Sequence, residues 1–132
     1  MDHLTVPELA AFEPEWHFSH VVRVSGLLLL SGVTATSERG HVTADPHEQF
    51  EQAFAHLGLY LTAAGAGWSD VAELTSYHVG LRRHLDAFVA VKDRFLRHPY
   101  PAWSAIGVAE LITPGALVEL RVIARDPRQA GG

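Results

Sequence analysis

Hydrophobic and polar residues near the N-terminus follow a pattern that predicts a β-hairpin. Residues 18–24 and 27–31 form its two strands, and the turn lies at Ser25-Gly26. The first strand alternates between its two faces, whereas the four consecutive leucines of the second strand are apolar on both sides. We therefore expect both faces of the second strand to be buried.

A second pair of strands is predicted over residues 102–109 and 116–124, with a turn at Pro114-Gly115. Because side chains alternate along a strand, one face of the final strand carries only valine, leucine and alanine. Its other face carries two opposite charges between apolar residues, Leu117, Glu119, Arg121 and Ile123. Such a face is unusual for a merely solvated surface. We expect it to be partly buried, polar at its centre and the place where function lies.

Two amphipathic helices and one further strand are predicted between these hairpins. Asp45 is a good N-cap, Pro46 suits the first helical position, and an apolar stripe then recurs at steps of three and four until Gly65. Residues 71–81 alternate well enough for a strand. A second helix with one apolar face is predicted over residues 84–97.

The predicted order is ββαβαββ in a single α+β domain of residues 18–126, with an irregular lead-in at residues 1–17 and a flexible tail at residues 127–132. The fold class is a mixed sheet with both helices on one face. The strand of leucines and the final strand require burial on both faces, which two helices cannot provide. A second copy of the chain is the simplest cover, so we expect an obligate oligomer.

The composition excludes several classes of function. The chain has 132 residues, of which 48% are hydrophobic and 19% charged, as expected for one globular domain. A net charge of −5 argues against nucleic-acid and membrane partners. Without cysteine there is no disulfide, thiolate zinc site or cysteine nucleophile. We find no signal peptide and no apolar run of membrane-spanning length, so we expect a cytoplasmic protein.

Four features in a fixed order give residues 18–124 a resemblance to the YjgF/RidA family of reactive-imine deaminases (the Rid family). They are Ser31-Gly32 after the second strand, AAGAGWSDV after the first helix, Pro101-Ala102 before a strand, and the ending GALVELRVIA. Each is weak alone, but their order and spacing are specific. The resemblance implies a RidA/chorismate mutase-like fold and a homotrimeric barrel, with three clefts between neighbouring subunits.

The resemblance also implies a chemistry. Active members hydrolyse 2-imino or enamine acids to 2-keto acids and ammonia, without metal or cofactor. A glutamate on their last strand, which is thought to position the attacking water, matches Glu119. An aromatic residue at the start of their first strand, usually tyrosine, matches Phe18, which lacks the hydroxyl.

One departure from the family pattern concerns the arginine that follows the Pro-Ala pair and binds the substrate carboxylate. That position is Trp103, which has no charge and a single donor. The chain therefore resembles a divergent member, and we expect weak or absent deamination of small imino acids such as 2-iminopropionate. Lys92, at a frequent asparagine position of the family, Arg121 or Arg23 could supply a replacement cation.

Each candidate site residue also has a structural interpretation. Glu119 could form an interface salt bridge with Arg121 instead of activating water. Trp103 could be a flat wall for an aromatic or extended ligand, or it could pack in an interface. Ser31 and Gly32 could let a ligand approach the backbone, or they could simply end a strand.

The nine histidines do not predict a metal site. His17 and His20 have a loose spacing for the start of a strand, and the sequence places no third ligand beside them. His78, in the predicted third strand, is interpreted as a structural residue. We therefore expect no metal and no cofactor.

Two classes of function follow. The leading hypothesis is a Rid-family hydrolase or deaminase of an imine, enamine or related reactive intermediate, bulkier or more apolar than 2-iminopropionate. Glu119 would be its water-positioning base and Trp103 its wall. The alternative is a non-catalytic trimer that binds a small metabolite in the same cleft. Ribonuclease activity, sometimes attached to this family, is disfavoured by the net acidity and the lack of a basic groove.

Overall fold

Six strands, two α-helices and three short 3₁₀ helices make up the regular structure of residues 1–12 and 17–129, which the computed structural model describes. In chain order the strands and α-helices are β1 (Asp2–Leu4), β2 (Val21–Val24), β3 (Leu27–Leu30), α1 (Pro46–Ala63), β4 (Val71–His78), α2 (Leu81–Phe95), β5 (Ala102–Gly107) and β6 (Val118–Arg125). The strands form one sheet in the order β1-β2-β3-β6-β4-β5. Only the β4–β5 pair is parallel. The predicted α+β class and mixed sheet are confirmed.

The N-terminal segment differs from its predicted irregular conformation. Asp2–Leu4 forms the edge strand β1, which pairs antiparallel with β2, and Pro7–Phe12 forms a 3₁₀ helix. The segment is held by tertiary contacts, because Val6 is fully buried and its N–H donates to His20 Nδ1 at 2.8 Å. The observed order is therefore βββαβαββ.

The C-terminal tail also begins with regular structure. Pro127–Gln129 forms a 3₁₀ turn inside the predicted flexible segment, whose last residues, 130–132, lie outside the described residues. The same holds for residues 13–16 of the predicted lead-in.

The boundaries of the helices follow from local backbone chemistry. The Asp45 carboxylate accepts the N–H of Glu48 at 3.0 Å, which caps α1 as predicted. Helix α2 begins at Leu81, three residues before the predicted start, and β4 ends at His78. Gly80 lies between them with φ of 72°, a conformation that glycine adopts without strain and that turns the strand directly into the helix.

The two faces of the sheet have different environments. Both helices cover one face, where Val118, Leu120, Val122 and Ala124 of β6 join the core beside the phenylalanines of α1 and α2. The opposite face, which we call the open face, carries the other residues of β6, and neither α-helix of the described part of the chain covers it. Leu27 is 42% exposed there, and so is Ile106. Burial of both faces of β3 therefore remains a prediction about an oligomer.

A buried ion pair joins three parts of the fold on the helix-covered side. The Arg23 Nε donates to Asp126 Oδ2 at 2.8 Å, and its Nη2 donates to the Ala64 carbonyl at 2.7 Å. Both charged side chains are almost fully buried. The pair therefore fixes the end of β6 and the end of α1 against β2.

We predict that Asp126→Ala destabilises the protein by about 3–5 kcal/mol, because it leaves the buried Arg23 guanidinium with only the exposed Asp2 carboxylate, 3.9 Å from Nη1, as a counter-charge. The double variant Arg23→Met/Asp126→Leu should lose less than the single variant. Urea unfolding of the three proteins measures the difference. A single variant as stable as the natural protein would show that the pair does not hold these elements together.

Candidate functional site

A cavity of about 450 Å³ lies where the loop that follows β3 crosses the beginning of β6. Its walls come from that loop, from α1, from the turn of residues 112–114 and from Glu119. Leu9 and Phe18 close one side. The volume is in the range of small-molecule binding sites in proteins, so the cavity is the candidate functional site.

Glu119 lies beside the loop that follows β3, where that loop is bridged to β6. Val33 and Leu120 exchange two backbone hydrogen bonds, each of 2.8 Å, and this antiparallel bridge brings Gly32 next to the Glu119 side chain. A Cβ atom added to Gly32 would lie 2.6 Å from Glu119 Oε2 and 2.7 Å from its Cδ. A larger residue at position 32 would therefore displace the Glu119 carboxylate from its place beside the loop.

The Glu119 carboxylate has no ion-pair partner within residues 1–12 and 17–129. Arg121 lies on the same face of β6 but is exposed, and the salt bridge considered from the sequence does not form within one chain. Burial raises the pKa of Glu119. A carboxylate of raised pKa is a stronger base, as proton abstraction from water requires.

Three of the predicted site residues meet in this cavity: Glu119, Phe18 and Gly32. Ser31 lies beside it and does not line it. Its hydroxyl donates to the Ser19 carbonyl at 2.6 Å and its N–H donates to the His20 carbonyl at 2.9 Å. Ser31 therefore fixes the segment that carries Phe18.

Trp103 and Lys92 lie elsewhere in the chain, at the β5 edge of the helix-covered face. The Trp103 Nε1 donates to Ser76 Oγ at 2.9 Å, and the Lys92 ammonium lies 4.5 Å from the centroid of the indole ring. Both line a separate cavity of about 230 Å³ beside Tyr100. Within one chain, the structure does not bring Trp103 and Lys92 together with Glu119.

His78 continues the hydrogen bonding beneath Trp103. Its Nε2 lies 2.8 Å from Ser76 Oγ, and its ring contacts Phe88 edge-on at 4.5 Å between centroids. Burial lowers the pKa of His78 to about 4, so the ring is neutral at pH 7. Its Nδ1 has no hydrogen-bond partner among the described residues. The predicted structural role fits this buried position, although only one ring nitrogen is bonded.

Two of the three cations considered as replacements for the family's carboxylate-binding arginine already have partners within the chain. Arg23 is buried against Asp126 on the opposite side of the sheet from Glu119, so it cannot act in the cavity. Lys92 pairs with Asp93 at 3.0 Å as well as with the indole ring. Arg121 remains exposed on the open face.

Sequence reasoning missed several polar residues of the cavity, among them Arg39 and His56. Arg39 belongs to the loop after β3, which has no periodic pattern to orient a side chain. His56 is on α1, and its Nδ1 lies 2.9 Å from the Thr34 carbonyl. Because a carbonyl oxygen only accepts, Nδ1 carries the proton in this contact and the neutral ring keeps Nε2 as an acceptor.

The described residues contain no cluster of histidine, aspartate and glutamate that could hold a metal ion. His20, one half of the histidine pair noted in the sequence, instead accepts the Val6 N–H. None of the helices in the described part of the chain has the length and apolar character needed to cross a membrane.

Comparison with known proteins gives consistent matches along the chain. A family profile described as Endoribonuclease L-PSP matches residues 8–126. The RutC family protein YjgH of Escherichia coli strain K12 is 35% identical over 116 residues, which cover 87% of this chain and 87% of that protein. A 2-iminobutanoate/2-iminopropanoate deaminase of Dermatophagoides farinae is 32% identical over 116 residues, covering 84% and 87%. A solved structure of YjgH superposes with a TM-score of 0.88 at 31% identity, covering 97% and 98% of the two chains.

We predict that the low pKa of His78 makes the protein less stable in acid. The unfolded histidine binds a proton near its ordinary pKa of 6.5, whereas the folded one does so only near 4. Its contribution to the free energy of unfolding is therefore complete above pH 6.5 and falls as the pH decreases toward 4, with a maximal slope of about 1.4 kcal/mol per pH unit.

Urea unfolding at pH 7 and pH 5 measures this contribution, with His78→Gln as the comparison. The variant shares every other titrating group, so the natural protein should lose more stability between the two pH values. Equal losses in both proteins would contradict the buried neutral state of His78.

Proposed function

Because the chain belongs to the YjgF/RidA family, we propose that it hydrolyses an imine, an enamine or a related reactive intermediate in the Glu119 cavity. The observation that carries the proposal is a half-buried carboxylate without an ion-pair partner among the described residues, facing a cavity of ligand size. The similar protein of Dermatophagoides farinae is named 2-iminobutanoate/2-iminopropanoate deaminase, which supports this class of reaction.

In the proposed reaction Glu119 holds a water molecule by accepting a hydrogen bond from it. The carboxylate takes a proton as the water oxygen bonds to the imine carbon, and the C=N electron pair moves to nitrogen, which then receives that proton from Glu119. The regenerated carboxylate accepts the hydroxyl proton of the carbinolamine and gives it to nitrogen as the C=O bond forms and the C–N bond breaks. The products are a carbonyl compound and ammonia, and no metal or cofactor takes part.

The cavity walls support a substrate that is larger or more apolar than 2-iminopropionate. Leu9, Phe18 and Pro114 supply apolar surface, and Ile112 is 75% exposed at the cavity. Exposed apolar surface at a cavity favours a ligand with an apolar body. This interpretation assigns to Phe18 and the turn of residues 112–114 the wall that the sequence hypothesis gave to Trp103.

We propose further that the protein is a cytoplasmic homotrimer with sites between subunits. The exposed apolar side chains Leu27 and Ile106 on the open face support burial by another copy. Any contact of Trp103, Lys92 or Arg121 with substrate then depends on a neighbouring subunit, since Trp103 and Lys92 line a different cavity and Arg121 lies on the open face of β6.

A non-catalytic metabolite-binding trimer is the second candidate. The observation that favours it is the state of Trp103, which stands where active family members have their carboxylate-binding arginine. Its N–H already donates to Ser76 and so cannot bind a substrate without breaking that bond. A ligand that binds in the cavity and is released unchanged would favour this alternative.

We predict that Glu119→Gln lowers the rate of imine hydrolysis by about 10²–10⁴-fold, because the amide cannot accept the proton of water. The imines are generated in place by an amino-acid oxidase, from alanine and leucine to phenylalanine and tryptophan. Glu51→Gln, which alters an exposed carboxylate on the outside of α1, is the matched control and should keep full activity. Full activity of a folded Glu119→Gln variant on a substrate that the natural protein hydrolyses would refute the proposal.

The pH dependence of the reaction gives a separate test. Only ionised Glu119 can act as the base, and burial raises its pKa above the ordinary value of 4.5. We therefore expect kcat/KM to fall on the acid side with a slope of one and a midpoint above pH 4.5. A midpoint at or below 4.5 would mean that Glu119 is not the titrating base.

The same raised pKa predicts that Glu119 destabilises the fold as the pH rises through this range.

A further inference from the structure

Arg39 is the only residue with a permanent positive charge among the described residues that line the Glu119 cavity. Its side chain is exposed and forms no ion pair within the described part of the chain. Arg23, Arg94 and Arg125, by contrast, are each paired with a carboxylate. The Arg39 guanidinium is therefore available to an anionic ligand.

The loop holds Arg39 in a defined place. Ser37 donates its N–H to the His41 carbonyl at 2.8 Å, and Gly40, with φ of 79°, donates to the Ser37 carbonyl at 2.9 Å. These bonds close a tight turn with Arg39 at its tip. The Thr36 hydroxyl donates to the Thr113 hydroxyl at 2.9 Å, which ties the loop to the opposite cavity wall.

The charges of the cavity indicate which ligand it suits. Glu119 and Glu38 both line it and would repel an anion, and the protein has a net charge of −5. An anionic group can bind favourably only where a cation compensates this repulsion, and Arg39 offers a fork of donors that matches a carboxylate. The remaining walls are uncharged: threonines, His56 and Tyr60 lie beside apolar side chains such as Leu9 and Ile112.

We propose that Arg39 binds the carboxylate of the substrate and that the substrates are 2-imino acids, or the corresponding enamines, with an apolar side chain. The carboxylate lies toward the turn of residues 37–41, the reacting carbon lies toward Glu119, and the side chain contacts the apolar walls. Carboxylate recognition has thus moved from position 103 to the loop after β3. The inference rests on the proposed function, which supplies the reacting carbon.

The test compares Arg39→Gln and Arg39→Lys with Arg83→Gln, which removes an exposed arginine that lines none of the described cavities. Hydrolysis is measured on the imine generated from leucine. Binding is measured by calorimetry with 4-methyl-2-oxopentanoate and with its amide, which has no charge. All three substitutions are at exposed positions, and circular dichroism verifies that each variant folds.

We expect Arg39→Gln to lower kcat/KM and to weaken binding of the keto acid by about 100-fold, because a charge-assisted bidentate contact is lost. The kcat/KM and the keto-acid affinity of Arg39→Lys should lie between those of the natural protein and of Arg39→Gln. Binding of the amide should not change in any variant, and Arg83→Gln should behave like the natural protein. If the natural protein hydrolyses no imine but binds the keto acid through Arg39, the proposed function fails and the carboxylate site stands.

Two results would overturn the inference. The first is imine hydrolysis that survives in Arg39→Gln within about threefold, which would leave the proposed function intact. The second is a natural protein that binds the keto acid no better than its amide, or not at all.

Discussion

The candidate site depends on the pairing of the loop after β3 with β6. The ladders of β6 with β3 and β4 fix the face of the sheet on which Glu119 lies, and two backbone hydrogen bonds between Val33 and Leu120 fix the loop against it. A shift of the loop by one residue would bring a different residue against Glu119. In the observed arrangement this neighbour is Gly32, where an added Cβ would displace the Glu119 carboxylate. A short backbone contact thus determines which part of the loop lies beside the carboxylate.

Five ionisable groups differ in whether they serve the interior of the fold or line the candidate site. Arg23 and Asp126 neutralise each other in the interior, and His78 is kept neutral by burial, so these groups stabilise the fold and take no part in the cavity. Glu119 and Arg39 are different, because neither has an ion-pair partner among the described residues although both line one cavity. An unpaired carboxylate and an unpaired cation that line one cavity fit the proposed hydrolysis of a substrate with a carboxylate and an apolar side chain.

The sequence predicted the elements whose signals are local. The cap at Asp45, the apolar stripe of α1 and the alternation of β6 act over a few residues, and the structure follows them. Strand β1 has three residues and no pattern of its own, and it forms because the chain around it is held by contacts such as that of Val6 with His20. Tertiary contacts of this kind cannot be found from local periodicity.

The same limit explains why the contacts of the positively charged residues could not be predicted from the sequence. Alternation alone could not show that Arg23 meets Asp126, 103 residues later in the chain, and a loop without periodicity could not show where Arg39 points. Nor could it show that Trp103 lies on the helix-covered side, because that depends on its pairing opposite Leu74. The alternation of the final strand drew attention to Glu119, which lines the cavity, whereas Arg39 and His56 could be found only from the fold.

The most direct test of this account is a crystal structure of the protein with 4-methyl-2-oxopentanoate, a stable analogue of the proposed substrate in which a carbonyl oxygen replaces the imine nitrogen. We expect the keto acid in the Glu119 cavity, with its carbonyl carbon about 3.5 Å or less from the position of a water bound to Glu119 and its carboxylate against Arg39. A keto acid bound only beside Trp103 and Lys92, with an empty Glu119 cavity, would contradict the account.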